Sequence, residues 1–161
     1  MTIRTAVYRI WQWTWGFLQS LAGLLIMLYA RALGAKSESY RHAVLTRIDG
    51  GDKRLRWIGC VSLGMYIFVS APLKLEGEQP ERLQRVIRHE YGHTVQSLIL
   101  GPLYLIAVGI PSLIWCGYYN SKKAKPLRER GVGYYDRYPE GWATRCGEKA
   151  ANKPVTRARS L

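Results

Sequence analysis

The sequence predicts an α+β fold held at a membrane. It combines an N-terminal transmembrane helix, a short antiparallel β-hairpin or edge strand, a long amphipathic helix and a re-entrant helical hairpin. Three observations carry this expectation. Residues 10–30 contain no charged side chain and are bracketed by Arg9 and Arg31. Residues 60–70, CVSLGMYIFVS, are β-branched and aromatic, and too few to cross a bilayer as a helix. Residues 81–100 repeat apolar side chains at helical spacing and stop at Gly101-Pro102.

The first segment is 21 residues long, enough to span a hydrocarbon core. Trp11, Trp13 and Trp15 crowd its start and Tyr29 its end, as amphipathic rings do at a membrane–water interface. No small-residue cleavage site follows it, which favours a retained anchor over a signal peptide. Gln12, Gln19 and Ser20 leave a second arrangement open, a helix lying on the surface. The anchor is expected over 1–33, a folded unit over 34–151 with an apolar hairpin at 98–119, and a disordered basic tail over 152–161. Within the unit, Ala43–Ile48 reads as a strand followed by a turn at residues 49–52, and residues 60–70 as a buried or edge strand. Residues 76–80 read as a loop. Pro80 then opens the long helix with Glu81 in its first turn. A last short helix starts at Pro139.

Composition narrows the partners. The chain of 161 residues is 48% hydrophobic, with 6 Trp and 11 Tyr against 2 Phe, and carries a net charge of +13. Such a balance suits an anionic leaflet. The basic residues are scattered and no recognition motif accompanies them, so nucleic acid is not an expected partner. Cys60, Cys116 and Cys146 are odd in number and widely spaced, which argues against a disulfide framework.

The long helix holds the chemistry. His89-Glu90-Tyr91-Gly92-His93 places two histidines four residues apart, on one face, where both rings can reach one cation. Glu90, beside them, can take a proton from water activated by that cation. Gly92 costs about 1 kcal/mol of helix propensity and leaves room for a second backbone. A third ligand is needed. His42 is the only other histidine and reads as solvent-exposed; Glu140, 47 residues after His93, reads otherwise as a helix-start charge, and Asp136 and Glu148 are weaker alternatives.

HEYGH with a later Glu-x-x-Ala helix resembles the gluzincin class of zinc metallopeptidases. The longer stretch RHEYGHTVQSLILGPLYLIAVGIPSLIW, followed by Glu140-Gly141-Trp142-Ala143, resembles a group of small bacterial membrane-associated proteins. The resemblance covers roughly residues 58–147. It implies Zn²⁺ on His89, His93 and Glu140, with Glu90 as general base. One position departs: Thr144 stands where the pattern has Asp, and there a carboxylate would orient a ligand histidine. Tyr134, Tyr135 and Tyr138 are candidates for stabilising an oxyanion, with interfacial packing as their other reading. A zincin-like use of the strand would lay an extended peptide along Ser62, Leu63, Gly64, Met65 and Tyr66.

Charge fixes the expected topology. Residues 31–88 and residues 122–161 each hold 11 Lys and Arg, and residues 1–9 hold two. Basic loops stay cytoplasmic, so both flanks of the second apolar run belong on one side, which also lets Glu140 meet the histidines. The expectation is therefore a zinc metallopeptidase in the bacterial inner membrane, its site on the cytoplasmic side, acting on a peptide or protein. The alternative is a non-catalytic membrane protein, a degenerate relative or an adaptor for anionic lipid.

Overall fold

The apolar run of residues 60–70 folds back on itself. In the computed structural model, which describes residues 2–71 and 80–152, it forms two antiparallel strands, Val61–Leu63 (β3) and Tyr66–Ala71 (β4). Gly64, at φ +58°, turns the chain between them. A side chain there would collide with Ser20, whose Cα would lie 2.6 Å from the added carbon. Two further strands, Lys36–Tyr40 (β1) and Ala43–Asp49 (β2), form a second antiparallel hairpin. Because β2 and β4 run parallel, the result is a mixed four-stranded sheet in the order β1-β2-β4-β3, larger than the antiparallel hairpin expected.

Burial on both faces explains the composition of β4. Tyr66 and Phe68 point to one side, where they join Met27, Ala30 and Ile48 in a core. Ile67 and Val69 point to the other, against Leu83, Ile87 and Tyr91. Those three residues recur every fourth position on Pro80–Leu100 (α3), so one stripe of this helix lies on the sheet. β1 escaped detection because its sequence, KSESY, is polar and mostly exposed.

Residues 10–30 are not one straight helix. Ile3–Thr14 (α1) and Phe17–Ala32 (α2) meet at 102°. Ser20 Oγ donates to the Gln12 carbonyl at 2.9 Å, taking the acceptor that a continuous helix would offer to the Gly16 amide. The polar residues that suggested a surface helix are instead fully buried. Gln12 Nε2 donates to the Thr94 carbonyl at 2.9 Å, and Gln19 Nε2 donates to Ser97 Oγ at 3.0 Å and to the Gly101 carbonyl at 2.8 Å. The bend therefore wraps the N-terminal pair around the end of α3. Among the described residues no single helix is long and apolar enough to cross a membrane; only the bent pair passes by length and composition.

Beyond α3 the chain turns at Gly101–Leu103, runs through a π-helical stretch at Leu105–Gly109 and continues as Ile110–Asn120 (α4). Lys125–Glu129 (α5) and the tyrosine-rich loop lead to Glu140–Ala151 (α6), which packs across α3. Most of the loop expected at 76–80, and the tail over 153–161, lie outside the described residues.

The Gln19 bonds generate a stability expectation. Gln19→Leu keeps the volume but removes the buried amide that donates to both Ser97 Oγ and the Gly101 carbonyl, leaving that carbonyl the Tyr104 amide alone. It should cost about 1–3 kcal/mol, read as a lower midpoint in denaturant unfolding. An unchanged midpoint would show that the network contributes nothing.

Candidate metal centre

Two helices must approach unusually closely for the site to exist. Gly92 on α3 and Gly147 on α6 make that crossing possible. A Cβ on Gly92 would stand 1.8 Å from the Ala143 carbonyl oxygen, and one on Gly147 would stand 2.0 Å from that of Arg88. No side chain fits at either point. With the backbones in contact, Glu140 at the first turn of α6 reaches His89 and His93.

The three side chains are buried, and their ligand atoms lie within 4.8 Å of one another. Glu140 Oε2 is 2.9 Å from His89 Nε2 and 3.3 Å from His93 Nε2. The other ring nitrogens decide the protonation. Thr144 Oγ1 donates its one hydrogen to the Glu140 carbonyl at 3.0 Å, so at 3.0 Å from His89 Nδ1 it can only accept. Gln96 Nε2 donates to the Pro139 carbonyl, which turns Oε1 toward His93 Nδ1, 2.8 Å away. Both Nδ1 atoms therefore carry hydrogen, and in the neutral rings both Nε2 atoms present lone pairs to a carboxylate oxygen. Three electron-rich atoms converge on one point, an arrangement that a cation satisfies. The group can hold a metal ion.

The electrostatics agree. Burial by itself would raise the Glu140 pKa, but the ring nitrogens of His89 and His93 beside it, positive charge on His93 and the hydrogen bond from Ser112 hold it well below the usual carboxylate range. Burial likewise opposes charge on His93, yet Glu140 and Glu90 outweigh it and lift its pKa above the ordinary histidine value. The first shift keeps Glu140 negative and the second draws positive charge toward it, a proton on His93 or a cation in its place.

Glu90 faces the same cleft without joining the ligand group. Ser62 Oγ lies 2.7 Å from the Glu90 carbonyl oxygen and 2.8 Å from its Oε2, tying β3 to α3 and fixing the carboxylate. The cleft, ≈ 760 Å³, is bounded by β3, α3, α4 and the tyrosine loop.

Several expectations need correction. Of the five residues expected to line a substrate strand, Ser62 and Leu63 lie on the edge strand β3, while Gly64 and Met65 form the turn. Tyr66 pairs on the inner strand with Val44 as well as Leu63. The Ser62 side chain is committed to Glu90. Tyr134 and Tyr135 line the cleft, the Tyr135 ring centre 4.6 Å from that of His89. Burial pushes both hydroxyls above the ordinary tyrosine pKa. Tyr138 does not line the cleft; it stacks on Trp142 and its hydroxyl donates to the Ala107 carbonyl. His42 is half-buried against Tyr8, bonded to Thr5, and takes no part in the ligand group.

Two residues escaped the sequence reading. Ser112 Oγ donates to Glu140 Oε1 at 2.5 Å from α4, so the third ligand is held by the apolar hairpin. Gln96 was hidden because a glutamine three residues after a histidine is ordinary helix surface. Comparison with known proteins found no matching family model, no similar curated protein and no similar solved structure.

Two measurements probe the geometry. Gly92→Ala forces the helices apart, so stoichiometric binding of a divalent metal should disappear, with a stability loss of about 3 kcal/mol. Retained binding would mean that the crossing is not needed. Thr144→Val removes the acceptor for His89 Nδ1 and should weaken metal affinity about 10–100-fold in chelator competition. Thr144→Ser should restore it.

Proposed function

We propose that this chain is a membrane-associated zinc metallopeptidase whose site lies on the cytoplasmic face. The observation that supports it most is the convergence of His89, His93 and Glu140 in one buried group, with Glu90 held beside them in an open cleft. Two neutral imidazoles and one carboxylate are the ligand set of a catalytic zinc site, which keeps a position open. When bound, zinc would polarise a peptide carbonyl and lower the pKa of water.

The chain's own residues supply the rest. Glu90 accepts a proton from the attacking water as the new C–O bond forms. It returns that proton to the leaving amine as the C–N bond breaks. Ser62 steadies the Glu90 carboxylate, while Thr144 and Gln96 keep the imidazole lone pairs facing inward. Among the described residues β3 pairs only with β4, so its other edge has backbone groups for an extended peptide, and Val61 and Leu63 line the cleft. Tyr135 is placed to donate to a developing oxyanion. Threonine in place of aspartate at 144 provides the same acceptor without a charge.

Glu90→Gln separates catalysis from metal binding. Zinc content should stay at one per chain while peptide hydrolysis falls at least about 100-fold. Loss of zinc would make Glu90 a ligand and refute its role as base. Bound zinc with no hydrolysis of any peptide by the wild type would favour a non-catalytic metal protein.

A further inference from the structure

The cleft borders the most apolar part of the surface. On α1 and its C-cap, Val7, Trp11 and Trp15 form an exposed stripe beside buried Tyr8 and Gln12. The indole nitrogens of Trp11 and Trp15 donate to the carbonyls of Leu98 and Ile99, which seats this stripe against the end of α3. The apolar surface then continues over Leu103 and Ile106, 61% and 69% exposed, onto α4. There Ile110 and Leu113 are 52% and 73% exposed and also line the cleft. The metal centre and the apolar face thus share a rim.

The occupant can be read from chemistry. Both tryptophans satisfy their N–H inside the protein, so the exposed rings offer only hydrocarbon. No Asp or Glu occurs in residues 1–37 or 91–128, which include every element of this face. The charges beside it are all positive: Arg4 and Arg31 on the first two helices, Lys122 and Lys123 just after α4. An apolar face fringed by cations matches acyl chains beneath anionic headgroups.

We propose that this face sits in one anionic leaflet and that the cleft mouth, at Ile110 and Leu113, opens into it. The substrate class is then a peptide segment lying at or in the membrane, taken up from the lipid side. The nature of the substrate rests on the metallopeptidase reading; the orientation of the mouth does not.

The test uses the full chain carrying Glu90→Gln in phosphatidylethanolamine vesicles containing phosphatidylglycerol. Nitroxide labels are placed one at a time at Ile106→Cys, Leu113→Cys and Glu38→Cys, with the three native cysteines changed to serine. Glu38 lies on β1, at the opposite edge of the sheet. Oxygen should relax the labels at 106 and 113 while a water-soluble nickel chelate loses access to them, and the label at 38 should show the reverse. Doxyl-labelled lipid should quench the tryptophans of the unlabelled chain, and vesicles of pure phosphatidylcholine should bind less protein. A chain that stays in the aqueous phase overturns the proposal, as does a stable dimer in buffer that leaves vesicles unbound. Quenched tryptophans with a nickel-accessible label at 113 would put the mouth in water and refute uptake from lipid. Because Glu90→Gln is inactive by design, none of these outcomes depends on hydrolysis. Failure to bind zinc or cleave peptides would leave the depth profile standing.

Discussion

The site depends on the contact between two helix backbones at Gly92 and Gly147. Glu140 sits one helical turn before Thr144 and two before Gly147, so the depth of the crossing sets its distance from His89 and His93. A methyl group at either glycine would overlap a carbonyl oxygen, and the helices would separate by more than a metal–ligand bond can tolerate. The propensity lost by a glycine inside α3 and another inside α6 is the free-energy cost of this approach, about 1 kcal/mol each. The crossing also brings Thr144 within hydrogen-bonding distance of His89. One close contact thereby places both the third ligand and the group that orients the first.

Around that contact, polar side chains are used as internal struts. α3 is buried on nearly every side, yet its second half carries Thr94, Gln96 and Ser97. Each has an assigned task. Gln96 fixes His93, Ser97 bonds both Gln12 and Gln19 of the bent N-terminal pair, and Thr94 gives its hydroxyl to the Tyr91 carbonyl while its own carbonyl accepts from Gln12. A buried amide left unpaired costs more than the bond it makes contributes, so such a network specifies a unique docking of α1 and α2 even where it adds little net stability. The same docking turns the apolar stripe of α1 outward beside α4. The polar network inside and the apolar face outside are two sides of one arrangement.

The apolar hairpin has a second role. Ser112 on α4 bonds the Glu140 carboxylate from the side opposite the histidines, and Tyr134 packs against Trp115 of the same helix. The segment that resembles a membrane run in sequence is therefore part of the site wall. Both flanks of that segment meet at one centre.

The sequence by itself determined that His89 and His93 share one helix face with Glu90 beside them. The i, i+4 spacing on a helix is a local geometric fact that needs no tertiary information, whereas Glu140 was implied by the resemblance and only the fold brings it to the pair. The sequence also determined the break at Gly101-Pro102 and the start of α3 at Pro80, because proline and glycine act through their own backbones. Tertiary structure decided what depends on distant partners. The apolar run from 60 to 70 looked continuous because β4 is buried on both faces; only α2, lying over Gly64, shows where the hairpin turns. The stretch from 10 to 30 looked like one span because hydropathy sums over residues and cannot register that Ser20 takes the Gln12 carbonyl. Gln96 and Ser112, and the bond of Ser62 to Glu90, could not be found in advance, since a hydroxyl or an amide becomes a positioning group only through the neighbour that folding brings to it.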